Sequence, residues 1–92
     1  MSVVRVPPVL RSEAAGAREV VASGSTVREL LEDLTVQVPA LGEKVFDGAE
    51  IRPYVNVYVD GEDIRTVGGL DAPVRNDATV VLLPAMAGGD GR

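Results

Sequence analysis

The sequence predicts one α+β domain, a mixed sheet of four to five strands with one main helix, about residues 26–38, packed on one face. Three observations predict it. Ninety-two residues are the length of a single domain. Only one stretch, 26–38, combines a start signal, a sustained helical period and a stop. Short β-branched runs bounded by turn residues make up most of the rest, the clearest at 54–59 and 79–83.

The elements follow in order. Val3, Val4, Val6, Val9 and Leu10 form a β-prone first segment. Pro7 and Pro8 cannot donate ladder hydrogen bonds, so the end of that segment is irregular or lies at an edge. Residues 12–17 read as a turn and 18–22 as a second strand, which together make a β-hairpin. After the break at Ser23-Gly24-Ser25, Thr26 and Glu29 fit a capping box, each side chain satisfying an orphan amide. Val27, Leu30, Leu31, Leu34 and Val38 share one helical face, with Arg28, Glu29, Glu32 and Asp33 opposite. Pro39 ends the helix, and 40–46 has room for one further turn. Asp47-Gly48 is a turn. In 54–59, Val55, Val57 and Val59 share one strand face and Asn56 lies on the other, polar one. Asp60-Gly61 signals a hairpin, with 64–67 returning as a short strand. Residues 68–74 are loop or a single helical turn, Gly68-Gly69 being a backbone turn. Residues 75–77 lead into the last strand, 79–83.

That last strand is apolar on both sides. Val80 and Leu82 point one way, Val81 and Leu83 the other. One helix covers one face of a sheet. The second apolar set is therefore expected at a partner-docking surface, or else under the 39–52 loop.

Composition removes whole classes of function. Hydrophobic residues make up 46% of the chain but only Phe46, Tyr54 and Tyr58 are aromatic, so the core is aliphatic and leaves little room for a deep pocket. The net charge is −5 with the acids spread along the chain, so nucleic acid is not an expected partner. There is no Cys and no His. Disulfides, thiol catalysis, thiolate metal sites and the usual neutral-pH base are thereby excluded, and no phosphate-binding G-x-x-x-x-G-K-[ST] loop occurs. The chain shows neither an uninterrupted signal-peptide core nor an apolar run of membrane-spanning length. A cytoplasmic location and a monomeric free state are the expectations.

The end of the chain is distinctive. The apolar strand stops at Pro84, Ala85-Met86-Ala87 follow, then Gly88-Gly89, then Asp90-Gly91-Arg92. Residues 1–84 read as a compact body and 85–92 as a flexible tail. Composition alone supplies about one Gly-Gly dipeptide and the chain has two, at 68–69 and 88–89, so the pair carries information only through its placement.

The element order, the apolar last strand and this tail resemble the β-grasp, ubiquitin-like sulfur carrier proteins of the ThiS/MoaD type. Within that family the resemblance is strongest to carriers of the thiocarboxylate-dependent route to cysteine. It is carried by Val6-Pro7 with Val9-Leu10-Arg11, residues 20–24, Val55-Asn56-Val57-Tyr58-Val59, Glu62-Asp63, Gly68-Gly69-Leu70 and Leu83-Pro84-Ala85 with Ala87-Gly88-Gly89. It is weakest over 39–52.

The resemblance implies a protein substrate rather than a catalyst. An E1-like adenylyltransferase/sulfurtransferase, using ATP and Mg on its own site, activates the carboxyl of Gly89. Sulfide, or a persulfide whose S–S bond a thiol then cleaves, displaces AMP and leaves a thiocarboxylate. Residues 85–89 would be what the activating enzyme recognises. Glycines without Cβ pass a narrow channel, and five residues at roughly 3.3 Å each reach about 17 Å. Many family members end at the glycine pair, whereas here Gly89 is an amide. Removal of Asp90, Gly91 and Arg92 by a JAMM-type zinc peptidase is therefore expected. A pyridoxal-phosphate-dependent, cysteine-synthase-like enzyme would take the sulfur, and the peptidase would release cysteine from Gly89. No cofactor or metal is expected on this chain itself. A small subunit of molybdopterin synthase and a ubiquitin-like modifier are the other roles the family offers.

Other polar groups read as surface. Asp60, Glu62 and Asp63 surround Gly61 as a solvated hairpin turn. Glu32 and Asp33 diverge by about 100° around the helix and cannot converge. Arg52, Arg65 and Arg75 serve solubility or meet an acidic groove on a partner.

Overall fold

The computed structural model describes residues 1–84. Five strands form the main sheet: β1 (Ser2–Arg5), β2 (Glu19–Ala22), β5 (Val55–Val59), β6 (Glu62–Asp63) and β7 (Thr79–Pro84), in the order β2-β1-β7-β5-β6. β3 (Phe46–Asp47) and β4 (Glu50–Ile51) make a separate two-stranded hairpin. β1 and β7 run parallel; the other neighbours run antiparallel. The last strand thus sits at the centre of the sheet, which is why it needs the most apolar sequence in the chain.

α1 (Val27–Gln37) begins as the sequence predicts. Thr26 Oγ1 accepts from Glu29 N at 3.2 Å. The reciprocal half of the box is displaced by one residue. The Glu29 carboxylate accepts from Ser25 N at 2.9 Å and Ser25 Oγ at 2.8 Å, not from Thr26. The amide bond from Ser25, then its hydroxyl, hold the Glu29 carboxyl below its ordinary range.

α1 is not the only helix. The turn expected within 40–46 is a full seven-residue helix, α2 (Pro39–Val45). Pro39 therefore stops one helix and starts the next, where its missing N–H costs nothing. α2 buries Leu41 and Val45 and sets Gly42 against Thr35, whose side chain leaves no space for a Cβ.

Two strand expectations are corrected. The first strand ends at Arg5, not near Leu10, and Pro8–Ala14 is a 3-10 helix. Pro7 sits at φ −67°, its carbonyl accepts from Leu10 N, and Leu10 and Ala14 drop into the core. The return strand at 64–67 is instead Glu62–Asp63, after which Ile64–Thr66 turns as 3-10 helix. Asp63 Oδ1 accepts from Arg65 N at 2.9 Å, and this local cap outweighs the β-propensity of Ile64. The hairpin before it is as predicted: Asp60 and Gly61 both have positive φ, 49° and 88°. Gly68 and Gly69 also lie at positive φ, so that pair is a backbone turn.

One aliphatic core joins these pieces. Leu30, Leu31 and Leu34 of α1, Leu41 and Val45 of α2, and Val4, Val57, Val80 and Leu82 of the sheet belong to a single cluster. No described helix is long and apolar enough to cross a membrane.

Candidate functional site

β7 sends its alternate residues to opposite faces. Val80 and Leu82 are 0% exposed, in the core. Leu83 is 46% exposed and Val81 half-buried on the outer face. Register extends that face across the sheet. Leu83 lies opposite Asn56; Val81 lies between Tyr58 and Arg5; Val3 lies between Thr79 and Val21. Val21 is 48% exposed. An apolar strip of Leu83, Val81, Val3 and Val21 therefore crosses β7, β1 and β2. The 39–52 loop does not cover it, because Leu41 and Val45 of that loop are buried in the core that takes Val80 and Leu82.

A cation is fixed at the edge of the strip. Arg65 Nη2 donates to Asp63 Oδ2 at 2.6 Å and to Asn56 Oδ1 at 2.9 Å, and Arg65 Nε donates to Asp63 Oδ1 at 3.1 Å. The Arg65 side-chain bonds hold the Asp63 carboxyl below its ordinary range, with the Arg65 amide adding to the effect. The same bonds raise the guanidinium pKa. Sequence spacing places Asp63, Asn56 and Arg65 apart, in a turn, on a polar face and as a surface charge; the fold makes them one unit. The signal for half of it was local, an acid two residues before an arginine at a helix cap. The Asn56 half depends on β5–β6 pairing, which no sequence spacing states.

Arg75 pairs with Asp77 at 3.3 Å and Arg28 with Asp71 at 3.4 Å, both at the surface. Among the described residues no group of three or more His, Cys, Asp or Glu side chains is placed to hold a metal. The body offers a shaped surface, and Pro84, the last described residue, lies in β7 opposite Val55. The expectations for Ala85, Met86, Ala87, Gly88 and Gly89, and for cleavage ahead of Asp90, Gly91 and Arg92, lie outside the described residues.

Comparison with known proteins decides the family. The ThiS family profile matches residues 4–89, nearly the whole chain and up to the second glycine of the terminal pair. The chain belongs to the ThiS family. Its sequence is similar to sulfur carrier protein CysO of Mycobacterium tuberculosis, 35% identical over 89 residues, 94% of this chain and 96% of the relative. Its structure is similar to a chain of the Amycolatopsis orientalis BexX/CysO complex, with a TM-score of 0.90, 35% identity and coverage of 97% and 100%. It also resembles small archaeal modifier protein 1 of Methanosarcina acetivorans, with a TM-score of 0.83, 29% identity and coverage of 96% and 95%. The fold of this ThiS-family chain is therefore the β-grasp, a five-stranded mixed sheet holding a helix.

Proposed function

We propose that this ThiS-family protein carries sulfur as a thiocarboxylate on Gly89, for cysteine synthesis, after residues 90–92 are removed. One observation supports it above the rest. The buried central strand delivers the chain to Pro84 at the end of the sheet, five residues short of the Gly89 where the family match ends.

The chemistry belongs to partners. An α-carboxylate titrates near 3.5 and is a poor acyl donor when ionised. An E1-like enzyme would join the Gly89 carboxylate to the AMP of ATP, releasing pyrophosphate. Sulfide would then displace AMP, exchanging one oxygen of the acid for sulfur. This chain's part is to keep the terminus slim and to be held while that happens. The Leu83–Val81 strip is the docking surface, with Arg65 oriented at its rim. A JAMM-type peptidase would cut after Gly89, first to expose the acid and later to release cysteine formed with a pyridoxal-phosphate partner. The similar chain of the BexX/CysO complex stands beside another protein, which supports work in complexes.

The test is incubation of the chain ending at Gly89 with its cognate activating enzyme, ATP, Mg and sulfide, read by intact mass. The expected product shows the mass gain of oxygen-to-sulfur exchange. A correctly folded chain that causes no release of pyrophosphate refutes the proposal. The likeness to an archaeal modifier protein favours one second reading, attachment of Gly89 to lysines of target proteins. Conjugates surviving denaturing electrophoresis in the native host would select it.

A further inference from the structure

A second surface lies on the other side of the sheet. A groove of about 570 Å³ opens between the β3–β4 hairpin and the 3-10 turns after β6, a volume within the usual range for ligand sites. Val55, Val57 and Ile64 form its floor and are nearly fully buried, and the half-buried Leu70 forms a wall. Three arginines, Arg28, Arg52 and Arg65, line it against two acids, Glu50 and Asp63. Asp63 is already engaged by Arg65.

Arg52 is the distinctive member. Its backbone N donates to Val45 O at 2.8 Å and its Nε to Glu43 O at 2.9 Å, so both the main chain and the guanidinium are tied to the end of α2. Among the described residues Arg52 forms no ion pair, so neither Nη group meets a carboxylate. An oriented guanidinium at the mouth of an apolar trough suits a carboxylate carried beside an aliphatic side chain. Orientation in advance lowers the entropy lost on binding.

The position of the groove says whose carboxylate that is. Val55, in the floor, is the cross-strand partner of Pro84, the last described residue. Arg65 lines the groove and also reaches Asn56, which lies opposite Leu83 on the outer face. The groove and the outer strip therefore meet around the root of the tail. Building on the carrier reading, we infer that the groove receives a segment of the activating enzyme, an aliphatic residue with a neighbouring Asp or Glu that pairs with Arg52. The carrier would then be gripped on both faces of the sheet while its terminus is in the active site.

Pyrophosphate exchange with the activating enzyme, using chains ending at Gly89, tests it. Arg52→Gln should raise KM for the carrier about tenfold, the effect of losing one charged hydrogen-bonded contact, with kcat unchanged and the thermal midpoint lowered only by the loss of the Glu43 bond. Arg52→Glu should raise KM further. Added salt should raise KM for the wild-type chain more than for Arg52→Gln, since only the former has the ion pair to screen. Equal KM values for wild type and Arg52→Gln overturn the inference and leave the carrier reading intact. A KM gap that salt does not narrow overturns it in favour of a packing role. If sodium hexanoate shifts the Val55 and Ile64 methyl resonances while Arg52→Gln leaves KM unaltered, the groove is a small-molecule site and the inference falls. No exchange by the wild-type chain removes the carrier reading itself.

Discussion

Two adjacent leucines should behave as if they belonged to different proteins. Leu82 is 0% exposed at the centre of the sheet, between Val57 on β5 and the β1 side; Leu83 is 46% exposed on the outer face. Leu→Ala removes three carbons beyond Cβ, about 2.4 kcal/mol of transfer free energy at roughly 0.8 per carbon when all are buried. Leu82→Ala also leaves a cavity that the surrounding strands cannot fully close, which brings the cost to about 3–4 kcal/mol. At Leu83 about half of that transfer applies and no cavity forms, so the cost is about 1 kcal/mol. A domain of this size has a total stability of roughly 5–14 kcal/mol, so Leu82→Ala consumes a large share of it. Urea unfolding followed by circular dichroism reads both. With a slope of about 1.2 kcal/mol per molar, the midpoint should fall by about 2.5–3.3 M for Leu82→Ala and by under about 1 M for Leu83→Ala. The order should reverse in the pyrophosphate-exchange assay, where Leu83→Ala raises KM at unchanged fold. Equal midpoint shifts for the two variants would show that the outer face is covered in solution and would refute the assignment of faces.

Two more outcomes follow from the packing and the charges. Gly42→Ala pushes a methyl into the Thr35 side chain at the α1–α2 contact, and overpacking of this kind costs about 1–3 kcal/mol, readable in the same urea titration. The depressed Asp63 pKa means that the unfolded chain binds the proton more readily than the folded one. The stability this group contributes is therefore complete above the ordinary Asp value near 3.9 and is lost as pH falls through the folded value below it. Asp63→Asn lacks this contribution, so its stability gap from the wild type should close as pH drops below about 4; a gap constant from pH 7 to pH 2 would contradict the Asp63–Arg65 geometry.

Where information is local, it was legible. Thr26 as the cap of Glu29 N, the Leu30–Leu31–Leu34 face, Pro39 as a stop and Asp60-Gly61 as a hairpin all depend on residues within a few positions of each other and stand in the structure; only the return bond of Glu29 shifts, to Ser25. The period-two pattern of Val80–Leu83 even separated the buried set from the exposed set, because strand geometry alone forces the alternation. What misled was competition between local rules. Asp63 capped a 3-10 turn where Ile64 and Val67 suggested a strand, and Pro8 started a 3-10 helix where Val9 and Leu10 suggested more sheet.

The sequence by itself determined the family, the helix, the central strand and the glycine pair three residues from the end. The family is written in motifs spread from Val6 to Gly89, the other three in contiguous residues whose physics needs no distant partner. Tertiary structure alone decided that β7 lies between β1 and β5, that Arg65 is held by Asn56 across a hairpin, and that Arg52 comes to the mouth of a groove floored by Val55. These are meetings of segments far apart in the chain. They arise because one aliphatic core must be closed from both ends of the sequence at once, and no local pattern encodes which surfaces that closure brings side by side.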